Sequence, residues 1–411
     1  MIEVGTQNLK TTSLNPTYEV TPGEGVGIFQ LGDNLWHVLE LIRTHRTQYP
    51  KVEVSWDEDN PHKSAITIHL PYLTLYFPPS PIYQLLSLIN ITLPLPSSSS
   101  SLNSSLELSY ETQILSSAHM PLTRARVGRL MGPTFISKAG DKLDFPGISF
   151  ILHSDNLGDA GFGPREDVVQ KVVVRPREDE ELEPKLISCI IQPNKSVTLA
   201  LDEDHIIPIT IGETTSQDLL LDLGAPLRKF WKEDDRLSKI WGGGDDHQDG
   251  FWNYFQYGLD FLISKDGVVM KILCHSNIPG APLFQRYARC PWILPTPSGQ
   301  LDLTSKVSAF RSHLSKSDKS EEYVEQIRLS VPTPPPAGNG GGGGGKKKKR
   351  NGSPNNAMIL DRLVEGGLDG ISNLGQSKLI GFDGLIVEQD KKSGGICSVM
   401  IYRDDTKTQT D

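Results

Sequence analysis

Residues 251–275 read FWNYFQYGLDFLISKDGVVMKILCH, and this stretch decides the fold of the chain. Aromatic residues precede the tetrapeptide Gly258–Phe261, and a turn sequence follows at Lys265–Gly267. An apolar run then ends in Cys274 and His275. Alternating apolar positions rich in β-branched residues are typical of a half-buried strand, and glycine in a turn tolerates positive φ. The stretch therefore predicts a β-hairpin.

The same pattern occurs elsewhere in the chain. Tetrapeptides that resemble Gly258–Phe261 begin at Gly147 and Gly384, and each precedes an apolar run. The three runs are VVMKILCH from Val268, VVQKVVVR from Val168 and ICSVMIYR from Ile396. Near the N-terminus, KVEVSW (51–56), SAITIHL (64–70), LTLYF (73–77) and YQLLSLI (83–89) read as a fourth set of strands. Repeated units of this kind must share a sheet or stack to bury their apolar faces.

A helical segment precedes each set of strands. In LGDNLWHVLELIRTH (31–45), one face carries Leu35, Val38, Leu39 and Ile42. In TTSQDLLLDLGAP (214–226), Thr215 or Ser216 is suited to cap the start and Gly224 to end the helix. Its expected apolar stripe is Leu219, Leu220 and Leu223. TRARVGRLMGP (123–133) and LDGISNLGQ (368–376) have similar punctuation.

The sequence thus predicts an α+β fold of about four degenerate units, each a helix plus an antiparallel β-hairpin or sheet, with disordered insertions. Three segments are expected to be such insertions: Pro96–Ser105, Arg175–Pro184 and Thr333–Pro354. The expected divisions are an N-terminal extension (1–24), a first helix–strand unit (25–95), a Ser-rich insertion (96–105), a second unit with an acidic loop (106–200), a third unit (201–332), a Gly/Lys-rich linker (333–356), and a fourth unit with a tail (357–411).

Composition narrows the functional classes. The chain has 411 residues and a formal net charge of -9, which argues against a dedicated nucleic-acid-binding protein. Its four cysteines form no CxxC pair, which indicates reduced thiols in a cytoplasmic protein. No signal-peptide pattern is present at the N-terminus. The most apolar run is too short for a membrane span, which needs about 20 apolar residues, so no transmembrane segment is expected.

Three motifs contain residue types that are found at chemical sites. Gly340–Lys346 has the spacing of a phosphate-binding loop but lacks the following Ser or Thr, so a solvated linker is favoured. Asp245–Asp249 collects metal-ligand residue types, although an acidic exposed loop is the preferred interpretation. Cys274 and His275 are neighbours on a strand and should point to opposite faces, which argues against a catalytic dyad. We therefore expect no cofactor, no metal, no catalytic residues and no enzymatic activity.

Basic residues mark the ends of two helices. Arg43, His45 and Arg46 end the first helix, and Arg124, Arg126 and Arg129 lie in the second. Cations at a helix C-terminus commonly complement the helix dipole. Guanidinium groups also bind phosphates, so the first group is the candidate for binding lipid head groups.

The block GLDF–VVMKILCHSNIPG–YARC resembles the phagophore assembly factor family. The residues that carry the resemblance are Phe251, Asn253, Tyr254, Phe255, Gly258, His275, Asn277, Pro279, Gly280, Tyr287, Arg289 and Cys290. Further similarity extends over residues 25–90, 205–295 and 355–403, and it is weaker over 106–175.

The resemblance implies a non-enzymatic adaptor in autophagy. Members of the family act with a β-propeller protein, and the pair is recruited through phosphoinositides to the phagophore assembly site. The family supplies no catalytic residues to carry over. Two other functions remain open: a vesicle-trafficking factor at Golgi or endosomal membranes, and a metal-dependent hydrolase that uses Asp245–Asp249.

Overall fold

The computed structural model describes residues 17–94, 106–134, 141–152, 167–231, 249–281, 283–314 and 377–403. Within these ranges the chain forms 24 strands and four α-helices, which confirms the predicted α+β class. The strands build two five-stranded and two seven-stranded sheets. One sheet of each size is formed by residues 17–174, which we call the first half. The other two sheets are formed by residues 188–402, the second half.

Each half contains two helices and twelve of the strands. The helices are α1 (Leu35–Thr44) and α2 (Arg124–Met131) in the first half, and α3 (Ser216–Asp222) and α4 (Val307–Leu314) in the second. First-half strands are β1 (Thr17–Thr21), β2 (Gly25–Val26), β3 (Phe29–Gln30), β4 (Glu53–Ser55), β5 (Ile66–His69), β6 (Leu73–Phe77), β7 (Leu88–Thr92), β8 (Glu107–Tyr110), β9 (Gln113–Ser116), β10 (Lys142–Phe145), β11 (Ile148–Leu152) and β12 (Val169–Val174). Second-half strands are β13 (Ser188–Gln192), β14 (Ser196–Ala200), β15 (Ile206–Thr210), β16 (Arg228–Trp231), β17 (Gly250–Tyr254), β18 (Leu259–Ile263), β19 (Val269–His275), β20 (Trp292–Thr296), β21 (Gly299–Asp302), β22 (Ser377–Phe382), β23 (Leu385–Asp390) and β24 (Ile396–Tyr402).

The two halves have the same strand order. The five-stranded sheets run β3-β2-β1-β8-β9 and β15-β14-β13-β20-β21. The seven-stranded sheets run β10-β11-β12-β7-β6-β5-β4 and β16-β17-β18-β19-β24-β23-β22. Among the described strands, only β1–β8 and β13–β20 pair in parallel. The last strand of each half therefore lies inside its seven-stranded sheet, beside β7 or β19.

Helices α1 and α3 follow the local sequence signals. The Asn34 side chain caps α1 by accepting a hydrogen bond from His37 N at 2.8 Å. All four residues predicted for its apolar face are buried: Leu35, Val38, Leu39 and Ile42. In α3, Thr215 and Asp218 form a capping box. The predicted stripe of α3 is wrong at Leu220, which is 40% exposed, because only Leu219 and Leu223 face the core of this short helix.

One helix of the structure was not predicted, and one predicted helix cannot be compared with the structure. The sequence did not predict α4, which buries Val307 and Phe310. The predicted helical segment 368–376 lies outside the described residues.

The predicted insertions have different outcomes. Arg175–Pro184 was expected to be disordered, but the structure places it as an irregular segment. Arg177 Nη2 donates a hydrogen bond to Pro22 O at 3.2 Å, and this contact fixes the segment against the β1–β2 turn. The Ser-rich insertion and the Gly/Lys-rich linker lie outside the described residues.

In each half, one glycine turn brings the two sheets together. Gly147 and Gly384 occupy equivalent hairpin turns and have φ values of 77° and 67°. A Cβ atom at Gly147 would lie under 3.0 Å from Gly23 in the β1–β2 turn. A Cβ atom at Gly384 would be equally close to Asn194 in the β13–β14 turn. Glycine is therefore required for the left-handed backbone and for the close approach of the two sheets.

We predict that Gly384→Ala lowers the free energy of unfolding by about 2–4 kcal/mol, since it combines positive-φ strain with a steric overlap. Gly224→Ala is the matched control, because Gly224 has a φ of 77° and nothing within 4 Å of the added Cβ. This control should lose about 1 kcal/mol. Urea unfolding of both variants measures the difference. Equal losses would show that the contact with Asn194 has no energetic weight.

Candidate functional site

Four buried polar side chains form a hydrogen-bonded network on one face of the second seven-stranded sheet. Its centre is the fully buried carboxylate of Asp260. This carboxylate accepts hydrogen bonds from Asn253 Nδ2 at 2.7 Å and from the Tyr287 hydroxyl at 2.8 Å. The Nε2 atom of His275 lies 2.9 Å from Asp260 Oδ2. The rings of His275 and Tyr287 stack with centroids 3.7 Å apart.

Strand periodicity brings these residues together. Asn253 and Asp260 are direct partners in the β17–β18 ladder. Asp260 pairs with Leu273 in the β18–β19 ladder, and His275 lies two residues further along the same face. Tyr287 comes from residues 276–291, which connect β19 to β20 and cover this face. We call this segment the connecting segment.

The chemistry of the network is that of a stabilising cluster. Aspartate, histidine and tyrosine are common acid–base groups in enzymes. Here Asp260 and His275 are at least 98% buried by side-chain area, so a substrate could not reach them in this conformation. A buried carboxylate is tolerated only when hydrogen bonds replace its lost hydration. The network therefore holds the connecting segment against the sheet.

The connecting segment also joins the two halves through Arg289. This residue is 8% exposed, and its Nε donates to Ser276 O at 2.9 Å. Its Nη1 donates to three first-half carbonyls, Ser80 O at 2.9 Å, His62 O at 3.3 Å and Pro81 O at 3.5 Å. Burial lowers the pKa of Arg289 to about 10, so the guanidinium stays charged at neutral pH.

A second link between the halves pairs two buried amides. Asn277 Nδ2 donates to Gln84 Oε1 at 2.9 Å, and Gln84 Nε2 donates to Asn277 O at 3.2 Å. Nearby, Phe284 is buried within the first-half core and packs edge-on against Trp56 at 5.5 Å between ring centroids. The second half thus places an apolar side chain inside the core of the first.

Most residues that carry the family resemblance lie in or near this junction. Phe255 packs edge-on against Tyr287 with centroids 5.0 Å apart, and Gly280 lies against Trp56. Gly258 has a φ of 69°, and a Cβ there would overlap Ala288 O. Pro279 is buried.

The remaining residues of that group pack in apolar clusters. Tyr254 belongs to the second-half core, and Phe251 packs with Leu262 and Leu273 on the opposite face of the sheet. Cys290 lies in the core beside Cys189 and Cys274. His275 hydrogen-bonds Asp260 on the other face, so the structure separates Cys274 from His275.

Sequence reasoning missed two members of the junction, Asp260 and Gln84. Asp260 could have been found as a single acidic residue at an alternating position in the apolar run LDFLI. Gln84 has no such signal, because its partner Asn277 is 193 residues away.

The candidate lipid-binding residues lie at the end of α1. Arg43 forms an ion pair with Glu40, and its Nε and Nη2 are buried without a hydrogen-bond partner among the described residues. His45 Nδ1 lies 2.9 Å from Leu41 O, so His45 caps the helix. Arg46 is exposed immediately beyond it. The Arg43 side chain is 26% exposed, so it is only partly accessible, and His45 has a structural contact.

A cavity of about 320 Å³ opens where the halves meet. It is lined by His62 from the first half, by residues 303–308, and by the β23–β24 turn. Burial and the positive charges of Lys63, Arg289 and Lys306 lower the pKa of His62. The imidazole is therefore neutral at physiological pH.

Other sequence motifs cannot be placed. Residues 245–248 and 340–346 lie outside the described residues. Asp249 is described, and its carboxylate accepts a hydrogen bond from Lys265 N at 3.0 Å. Among the described helices, none has the length and apolar character needed to cross a membrane.

Comparison with known proteins identifies the family. The model of the phagosome assembly factor 1 (PHAF1) family matches residues 25–204 and 169–402, which is most of the chain. This chain is a member of the PHAF1 family. The match confirms the resemblance seen in the sequence and supports a role related to phagosomes and autophagy.

Relatives in three organisms are similar to this PHAF1 family member. A PHAF1 protein of Arabidopsis thaliana is 24% identical over 328 residues, which cover 70% of this chain and 77% of the relative. A PHAF1 protein of Caenorhabditis elegans is 26% identical over 321 residues, covering 64% and 73%. A Drosophila melanogaster PHAF1 protein is 36% identical over 81 residues, covering 18% of each chain. No solved structure matches significantly.

We predict that Asp260→Asn lowers the free energy of unfolding of this PHAF1 family member by about 2–4 kcal/mol. An asparagine side chain has one acceptor oxygen in place of the two carboxylate oxygens of Asp260. Its NH2 group cannot accept the hydrogen bonds that the second oxygen accepts. Asp266→Asn, at an exposed position of the same hairpin, is the control and should change stability by less than about 0.5 kcal/mol. Chemical unfolding monitored by circular dichroism compares them. Similar stabilities of the two variants would refute the structural role of the network.

We also predict a coupling of about 1–2 kcal/mol between Gln84 and Asn277 in a double-mutant cycle with alanine. Their amides lose one buried partner in each single variant and both in the double variant. The control cycle uses the exposed ion pair of Lys392 and Glu58, which also joins the halves. That pair should show no coupling beyond experimental error. Additive losses at Gln84 and Asn277 would contradict the proposed amide link.

Proposed function

We propose that the protein is a cytoplasmic, non-enzymatic adaptor that acts in autophagy with a β-propeller partner at phosphoinositide-containing phagophore membranes. The observation that carries this proposal is the family match over most of the chain. The buried position of the signature residues also supports it. These residues join two halves of the molecule and do not line an open reaction site.

Differences between the halves support an adaptor role. Ile190 and Ile206 lie on the outward face of the second five-stranded sheet and are 37% and 60% exposed. In the first half, Glu19 takes the register position of Ile190. Exposed apolar residues on one of two equivalent sheets are suited to binding another protein. We infer that the outward face of this second five-stranded sheet provides the partner-binding surface.

The membrane part of the proposal rests on the end of α1. Arg43 lies at this helix end with a partly exposed side chain, and guanidinium groups bind phosphates through several hydrogen bonds. Arg46 adds an exposed positive charge next to it. The β-propeller partner, the phosphoinositide and this chain would then form one complex at the phagophore.

Affinity purification of the full-length chain from starved cells tests the partner. A β-propeller protein should co-purify in stoichiometric amount and should reassemble with the chain from purified components. The reassembled pair should co-sediment with phosphatidylcholine vesicles that contain phosphatidylinositol 3-phosphate and not with phosphatidylcholine vesicles alone. The proposal would be overturned if the chain bound neither a propeller protein nor these vesicles. Localisation in starved cells separates a phagophore role from trafficking at Golgi or endosomal membranes.

We predict that replacing Arg43 and Arg46 together with alanine reduces vesicle binding by the pair about 10-fold or more, because two phosphate-binding cations are lost. The control replaces Lys195 and Lys265, two exposed lysines of the second half, and therefore changes the net charge equally. Co-sedimentation at constant ionic strength measures both. An equal loss in the two double variants would indicate a general charge effect and not a site at α1.

A further inference from the structure

Three buried cysteines form a cluster between the two sheets of the second half. Cys189 lies in β13, Cys274 lies in β19, and Cys290 directly precedes Pro291 and β20. Their Sγ atoms all lie within 4.8 Å of one another, and those of Cys189 and Cys274 are 3.7 Å apart. The backbone fixes this arrangement, since Cys290 N donates to His275 O at 2.8 Å. We call the group the thiol triangle.

The first half shows that the fold does not require sulfur at these positions. Matched by strand register, the equivalent residues are Tyr18, Ile91 and Leu106. All three are buried in an ordinary apolar core. The fold therefore accepts apolar side chains at all three positions, and sulfur at each of them is particular to the second half.

The triangle has the dimensions of a metal–thiolate site. The centre of an equilateral triangle lies at about 0.58 of the edge from each corner, so edges of 3.7 and 4.8 Å place it about 2.1–2.8 Å from each sulfur. This range includes the metal–thiolate distance of about 2.3 Å. Three sulfur atoms can thus coordinate one central ion with only small adjustments of their side chains.

The number of donors favours one class of ion. Among the described residues, the triangle includes no fourth His, Cys, Asp or Glu. Structural zinc is almost always four-coordinate, whereas soft thiolate sites also select Cu(I). The group is completely buried, so water is not available as a fourth ligand.

We propose that Cys189, Cys274 and Cys290 bind one Cu(I) ion in a three-coordinate sulfur site. Binding releases the thiol protons of Cys189, Cys274 and Cys290 to solvent as three copper–sulfur bonds form, with no change of oxidation state. Because the triangle is buried, the ion enters while the second half folds. The bound ion then links β13 and the start of β20 to β19, and so ties the two sheets together.

The test is the metal content of the full-length protein, expressed in copper-supplemented cells and purified without oxygen. Wild type should carry about one copper ion per chain and no stoichiometric zinc. Cys189→Ser and Cys274→Val should each fall below about 0.1 copper ion per chain. Cys274→Val is chosen because the apolar Ile91 occupies the equivalent position in the first half, so this variant is expected to fold. It tests the proposal if Cys189→Ser does not fold. X-ray absorption should show three sulfur neighbours.

Cys397→Ser is the matched control. Cys397 is also buried but lies in a separate cluster with Ile278 and Ala281. This variant should keep the full copper content. The proposal is overturned if wild type contains no copper, if zinc occupies the site stoichiometrically, or if Cys397→Ser loses copper as completely as Cys274→Val.

Discussion

The buried guanidinium of Arg289 is the constraint on which the two-half arrangement depends. A charged group away from water must have its donors satisfied, and removal of its acceptors costs several kcal/mol. Arg289 finds one acceptor in its own half, at Ser276 O, and others in the first half, at Ser80 O and His62 O. Separating the halves would leave this charge without its acceptors. The halves therefore behave as one folding unit despite their matching strand orders.

The hydrogen-bond network around Asp260 holds the segment that carries this arginine. Asp260 collects the hydrogen bonds of Asn253 and Tyr287, and Tyr287 stacks on His275. These contacts fix the connecting segment on the sheet, so the guanidinium points toward the first half. A rigid junction is compatible with the proposed adaptor function, since the proposed binding surfaces would keep a constant relative position.

Local sequence patterns predicted many of the helices and strands, but they could not predict which distant strands pair. The apolar spacing of α1 and the alternation in β19 specified both elements correctly. In α3, Leu220 was assigned to the core because three-residue spacing alone cannot choose between neighbouring leucines. The parallel pairing of β13 with β20 leaves no local pattern, because about 100 residues separate the two strands.

The same limit applies to the candidate sites. Alternation places Asp260 and His275 on one face, so that part of the network was accessible to sequence reasoning. Tyr287 was singled out only by the family resemblance, because nothing in its surroundings specifies a hydrogen bond to Asp260. The cysteines appeared to be separate small core residues. Cys189 and Cys274 are 85 residues apart, and only the register of two different sheets brings their sulfur atoms together.

The position of β24 has a consequence for synthesis of the chain. This strand lies between β19 and β23, so β19 has one unpaired edge until β24 arrives. About 120 residues separate His275 from Ile396, and a ribosome adds about 5–20 residues per second, so the edge stays open for roughly 6–24 s. An open edge of an apolar strand can pair with other chains. During translation, the second half thus passes through a period in which a chaperone or a neighbouring nascent chain competes with its own last strand.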